Sequence, residues 1–158
     1  MRTIKTSSIR RARRSLLMAG AALVAARALP ARSATVELPS IKELDQWLAG
    51  RAVRAEWLTL EVPRLADNGN AVPLKLKFAG PFAPQADVKS IRLYSERNPV
   101  ALMARFDFAT PPPRIEIDTR IRLAGTQRIA AVAELANGTL YAATADISVT
   151  VSACLDGT

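Results

Sequence analysis

From residue 58 to residue 151 apolar residues recur at every second position, and this period constrains the fold more than any other feature of the chain. Successive side chains of an extended strand point to opposite faces, so a period of two builds strands with one face buried. Leu58, Leu60 and Val62 alternate with Thr59 and Glu61 before Pro63. Leu74, Leu76 and Phe78 alternate with Lys75 and Lys77, and Ile91 and Leu93 with Arg92 and Tyr94. Leu102, Ala104, Phe106 and Phe108 alternate with Arg105 and Asp107. Ile115 and Ile117, then Ile121 and Leu123, repeat the pattern around Glu116, Asp118, Arg120 and Arg122. Two further segments, 129–135 and 140–151, flank Asn137-Gly138, the dipeptide suited to a type I′ hairpin turn. Ala66-Asp67-Asn68-Gly69-Asn70 reads as a turn, and Pro111-Pro112-Pro113 as a stiff extended connector.

One helix precedes the strands. Ser40-Ile41-Lys42-Glu43 has the form of a capping box, Ile41, Leu44, Trp47 and Leu48 share a helical face, and Gly50 supplies a stop. The pattern predicts a helix over 41–49. The expected fold is all-β: an immunoglobulin-like antiparallel β-sandwich of about seven strands preceded by one short N-terminal helix.

The segment before the helix has the form of an export leader. Arg10, Arg11, Arg13 and Arg14 are followed by an apolar run over 16–26 that is too short to span a bilayer. Small residues that fit a cleavage site come next, in Ala26-Arg27-Ala28 or Ala31-Arg32-Ser33. Arg13-Arg14, with Ser15 and Leu16-Leu17 behind them, suggests the twin-arginine route. The expected organisation is a leader over 1–33, a domain over 34–151 and a C-terminal arm over 152–158, with a periplasmic destination. This division removes the apparent basic character. The formal charge is +8, but eight of the 22 basic residues and none of the 14 acidic ones fall within the leader. The remainder carries 14 of each sign, so the basic excess gives no reason to expect a nucleic-acid partner. No other apolar segment is long enough to predict a membrane span.

The chain contains no histidine, which excludes Ser-His and Cys-His pairs and imidazole metal ligands. Its acidic residues stand singly on the polar phases of strands, with no calcium-type loop, and no glycine-rich phosphate loop occurs. No cofactor is expected. The remaining chemistry lies in one residue, Cys154, the single cysteine. Ile147, Val149 and Val151 form the apolar phase of the last strand, and Asp146, Ser148, Thr150 and Ser152 the polar phase that Cys154 continues. The thiol is therefore expected at the surface or on a loose tail. A cysteine near its reference pKa of about 8.5 is only a few per cent thiolate at neutral pH. Asp156 and the carboxylate of Thr158 disfavour the thiolate further, so this chain does not look able to activate its own sulfur. Three readings stay open on these grounds: a carrier thiol that other proteins activate, an intermolecular disulfide, and an incidental cysteine.

Several stretches in fixed order resemble the Y subunit of the bacterial sulfur-oxidising (Sox) multienzyme system, the thiosulfate-oxidation carrier. They are Asn98-Pro99, Ala104-Arg105-Phe106, Thr119-Arg120-Ile121-Arg122-Leu123, Ala131-Val132-Ala133-Glu134, Asn137-Gly138 and Val149-Thr150-Val151 leading into Cys154. The resemblance implies a periplasmic, cofactor-free carrier that is not itself an enzyme, paired with a Z-type Sox subunit. Cys154 would be the covalent sulfur attachment point on a swinging arm. A c-type cytochrome would couple thiosulfate to it, a manganese-dependent thiosulfohydrolase would release sulfate, and a sulfane dehydrogenase would oxidise the remaining sulfur. The family usually flanks this cysteine with Gly-Gly on both sides. Here Ser152-Ala153 precede it and Leu155-Asp156-Gly157 follow, so these five residues set the arm's presentation and are expected to stiffen it. The rival from another class is a periplasmic β-sandwich adaptor whose tail cysteine forms an intermolecular disulfide.

Overall fold

Tyr94 shows how the layers are arranged. It lies among alternating residues on the supposed polar phase of its strand, yet it is fully buried, because that face of the sheet is covered by a helix. The computed structural model describes residues 36–80, 87–110 and 114–153. The expected leader over 1–33, the Pro111-Pro112-Pro113 connector, and Cys154, Leu155, Asp156 and Gly157 lie outside the described residues.

The helix, α1, spans Lys42–Leu48. Its start corrects the expected capping box: Ile41, not Ser40, occupies the N-cap in extended conformation, and no side chain caps the end. Ile41 is buried, so the apolar side chain that anchors the helix to the sheet takes the position a polar cap would need. The C-terminus is closed by Ala49 in the left-handed region (φ 50), followed by Gly50 (φ 77). Arg51 completes it, donating from its guanidinium to the carbonyls of Leu48 at 3.2 Å and Trp47 at 2.9 Å. Two guanidinium groups stand over the Trp47 ring, those of Arg51 at 4.9 Å and Arg92 at 4.2 Å from its centre.

Nine strands follow among the described residues: β1 Val53–Arg54, β2 Leu58–Glu61, β3 Leu65–Asn68, β4 Val72–Phe78, β5 Val88–Ser95, β6 Leu102–Asp107, β7 Ile115–Ile121, β8 Gln127–Leu135 and β9 Leu140–Val151. One sheet has the order β1-β9-β8-β5-β6 with β3 also on β9, and a smaller sheet has the order β2-β4-β7. The all-β expectation with one short N-terminal helix holds. Pairing is antiparallel except where β1 and β3 lie along β9 in parallel. The expected turn over 66–70 is corrected by the second of these. Ala66 and Asn68 pair with Val149 and Val151, and the chain turns only at the 3₁₀ segment Gly69–Ala71. The β8–β9 connection also differs from the type I′ expectation. Gly138 has a positive φ of 83 and Asn137 does not, while Gly138 N–H reaches Leu135 C=O at 2.9 Å. That is an ordinary turn with a left-handed glycine, closed by Leu135 N–H donating to Thr139 C=O at 3.0 Å.

Two cores result. Between the sheets, Leu74, Leu76, Phe78, Ile91, Leu93, Ile129 and Ile147 interlock. Outside the larger sheet, Ile41, Leu44 and Leu48 of the helix segment cover Tyr94, Ala130, Val132 and Ala142. Each such aliphatic side chain removed from water contributes about 1.5–3 kcal/mol. The helix is thus a third layer, and β5 and β8 are buried on both faces. Outside these layers, Lys75–Asp118, Lys77–Glu61 and Arg128–Asp146 form cross-strand ion pairs. A hydrogen bond from Lys75 to the Asp118 carboxylate raises the pKa of the lysine, and the bond from Arg128 holds Asp146 below the usual carboxylate range.

Candidate functional site

The last strand ends at Val151, opposite Asn68 of β3, and Ser152 and Ala153 lie beyond its ladder. Both are half-buried. The backbone is still held there, because Ala153 N–H donates to Leu123 C=O at 3.0 Å. Leu123 N–H in turn donates to Gly69 C=O at 2.9 Å. The Leu123 side chain is fully buried, so this peptide unit is fixed on one side by the core and on two others by hydrogen bonds. Three stretches distant in sequence, around residues 69, 123 and 153, meet here at backbone level.

Gly69 makes the meeting possible. A Cβ at this position would collide with the Leu123 carbonyl oxygen and stand 3.1 Å from both the Ala153 nitrogen and a Val149 methyl. The glycine serves close approach rather than an unusual backbone angle. Across the same junction a Cβ on Gly125 would stand 3.4 Å from the Ser152 hydroxyl oxygen.

The 122–126 segment that takes Ala153 is itself tied down by side chains. Thr126 accepts from Val149 N–H at 2.9 Å, giving the segment a second hold on β9. Asn98 donates to Arg122 C=O at 2.8 Å and accepts from Ala124 N–H at 2.9 Å, replacing ladder bonds where the strand has ended. Asn98 is oriented in turn by Ser95, whose hydroxyl oxygen accepts from Asn98 N–H at 3.1 Å. The buried Gln127 donates to Asn98 Oδ1 at 3.3 Å and to Gly125 C=O at 3.2 Å, and accepts from Arg97 N–H at 2.9 Å and from the Ser95 hydroxyl. Buried polar groups are costly unless they are satisfied, and these satisfy one another. The result is a stiff bracket from which the chain departs toward Cys154.

Of the residues singled out in the sequence, the structure places Ser152 and Ala153 on this bracket; the other four lie outside the described residues. The sequence does not single out Gly69, Leu123, Ser95 or Gln127 as parts of the arm's root, and Asn98 enters it only in the Asn98-Pro99 stretch of the family resemblance. Ser95 closes β5 and Gln127 opens β8, and both are buried polar residues. Among the described residues no group of three or more acidic or sulfur ligands could hold a metal ion. Among them, too, no helix is long and apolar enough to cross a membrane.

A family model described as "Sulfur oxidation protein SoxY" matches residues 45–154. No curated protein matches the chain. Solved structures of similar shape include a superoxide reductase (neelaredoxin) from Ignicoccus hospitalis, at 18% identity and a TM-score of 0.44, over 58% of this chain and 79% of that one. Another is the superoxide reductase from Nanoarchaeum equitans, at 14% identity and a TM-score of 0.45, over 60% of this chain and 99% of that one.

Proposed function

Because the chain belongs to the SoxY family of sulfur oxidation proteins, which are carriers rather than catalysts, we propose that it holds sulfur intermediates covalently on the thiol of Cys154 while partner enzymes process them. One observation carries this reading: the family match runs through to Cys154, the residue next to the anchored Ala153. A thiol joined directly to a braced backbone starts from a fixed point on the protein surface, and only the arm beyond that point needs to be accommodated by an enzyme.

The chemistry needs little from the carrier. In the loading step the Cys154 thiol gives up its proton, an S–S bond forms to the outer sulfur of thiosulfate, and two electrons leave to a c-type cytochrome. In the next step water attacks the terminal sulfonate sulfur and the bond between the two thiosulfate-derived sulfurs breaks. Sulfate and two protons depart, and a persulfide stays on Cys154. A manganese-dependent thiosulfohydrolase catalyses this step, and a sulfane dehydrogenase oxidises the remaining sulfur. The chain contributes the sulfur atom and its presentation, the latter set by Ser152, Ala153, Leu155, Asp156 and Gly157. The leader over 1–33 directs the protein to the periplasm, where a Z-type subunit pairs with it.

This reading predicts a particular gel-shift pattern. Protein recovered from the periplasm of cells oxidising thiosulfate should contain a monomer fraction, the S-thiosulfonate form, that resists a polyethylene glycol maleimide until it is treated with reductant and then takes up one equivalent. Persulfide-bearing protein takes up the reagent at once and loses it on reduction. A band of dimer size that reductant collapses, with no blocked monomer, would instead identify the cysteine as an adaptor's intermolecular disulfide and contradict the carrier reading.

A further inference from the structure

Nothing among the described residues pairs with the outer edges of β6 and β7 on the side of the sandwich where they run. Among the described residues β6 pairs only with β5 and β7 only with β4, so each sheet ends there in a strand with one unpaired edge. Ala104, Phe106 and Ile117 belong to the core between the sheets, yet they are only partly buried. Between the two strands lies a cavity of about 400 Å³ whose apolar lining includes Leu102, Met103, Ile121 and Val100, the last 69% exposed. Strand edges and core side chains left in this state are costly unless something covers them.

The charge of the groove limits what can cover it. Its charged lining residues are Arg120 and Arg122. Earlier along the same strand the charges are neutralised: Arg114 pairs with Glu116 at 3.5 Å, and Lys75 pairs with Asp118 at 3.2 Å. Arg120 and Arg122 make no ion pair among the described residues. Two uncompensated guanidinium groups beside an apolar lining and two edge strands call for an occupant with three matching properties. It must be anionic, partly apolar and able to use backbone hydrogen bonds. A small oxyanion meets only the first of these, and the cavity is far larger than such an ion needs.

We propose that this groove docks an extended acidic segment of a partner protein, which adds a strand to the open edge and places carboxylates on Arg120 and Arg122. The groove adjoins the arm's root. Asn98 lines it, and the same carboxamide holds Arg122 C=O and Ala124 N–H, so a segment seated here rests on the loop that anchors Ala153. The inference rests on the groove alone and does not depend on what Cys154 carries.

Titration of the ¹⁵N-labelled full chain with two synthetic peptides, acetyl-EVEVEVE-amide and acetyl-KVKVKVK-amide, tests it. The acidic peptide should shift the amide signals of β6 and β7, and the basic one should not. An Arg120→Gln/Arg122→Gln double variant should bind the acidic peptide about tenfold more weakly, and an Arg120→Glu/Arg122→Glu variant should prefer the basic peptide. Both substitutions are at the surface, and an unchanged amide spectrum elsewhere shows that the variants are folded. Shifts confined to other strands, no binding, or equal response to the two peptides would overturn the proposal. So would sodium sulfate or thiosulfate producing the same shifts and displacing the peptide, since that outcome marks a small-anion site.

Discussion

Replacing Cys154 with serine should abolish thiosulfate-dependent sulfur oxidation while leaving the fold within about 0.5 kcal/mol of the parent. The effect is expected to be total because the step is a covalent one. A hydroxyl oxygen cannot form the S–S bond that holds the intermediate, and the chain contains no second cysteine to take over. The fold should be indifferent, because the backbone anchors of the arm's root are amide and carbonyl groups of Ala153, Leu123 and Gly69. Thiosulfate consumption by a deletion strain complemented with each version reads the first effect, and thermal unfolding reads the second. A serine variant that still supported oxidation would remove the basis for the carrier reading.

Gly69→Ala should cost about 2–4 kcal/mol, combining overpacking at a site with no room and the weakening of two hydrogen bonds. In a domain of this size that lowers the melting temperature by on the order of 10 °C. The added methyl has nowhere to go. It meets the Leu123 carbonyl oxygen, the atom that accepts from Ala153, so relief requires moving the 122–126 segment or the end of β9. The Asn98 and Gln127 bonds resist the first movement, and the pairing of β3 with β9 resists the second. Gly138→Ala is the control. Nothing lies within 4 Å of its added methyl and the penalty is only that of φ 83, so it should cost about 1 kcal/mol. Equal losses at the two positions would show that the backbone junction at residue 69 is not the tight point.

The strands were legible because burial of one face leaves a period of two, and β2, β4, β6 and β7 carry it with little interference. The reading failed where a third layer altered the rule. Residues 129–133, Ile-Ala-Ala-Val-Ala, form an unbroken apolar run rather than an alternation, as a strand covered on both faces must. That run was a visible clue to the helix packed on the outer face, and Tyr94 belongs to the same covered surface. The parallel pairings of β1 and β3 were not legible. They join residues more than 80 positions apart in the chain, and β9's great length, Leu140–Val151, allows two strands to share its edge. The capping box failed because tertiary anchoring of Ile41 outweighs a local hydrogen bond worth about 1 kcal/mol.

For the site, the sequence pointed to a residue and the structure supplied its foundation. A lone cysteine without a base or histidine singled itself out by elimination. The bracket behind it could not be read, since it is built from backbone groups of three remote segments and from polar side chains that look like ordinary loop residues. The bracket also bears on the missing glycines. With Ala153 held by Leu123, the residue before the thiol is part of the folded body, so Ser152 and Ala153 add no reach to it. Enzymes that act on this carrier would then have to approach the bracket closely, and the open groove beside Asn98 lies at that approach.

The most direct measurement of the central claim is the intact mass of the protein purified from the periplasm of cells oxidising thiosulfate, taken before and after reductant. A covalent carrier should show a thiosulfate or persulfide adduct that maps to the peptide containing Cys154 and disappears on reduction. An unmodified thiol throughout, or a disulfide to a second polypeptide as the sole modification, would contradict it.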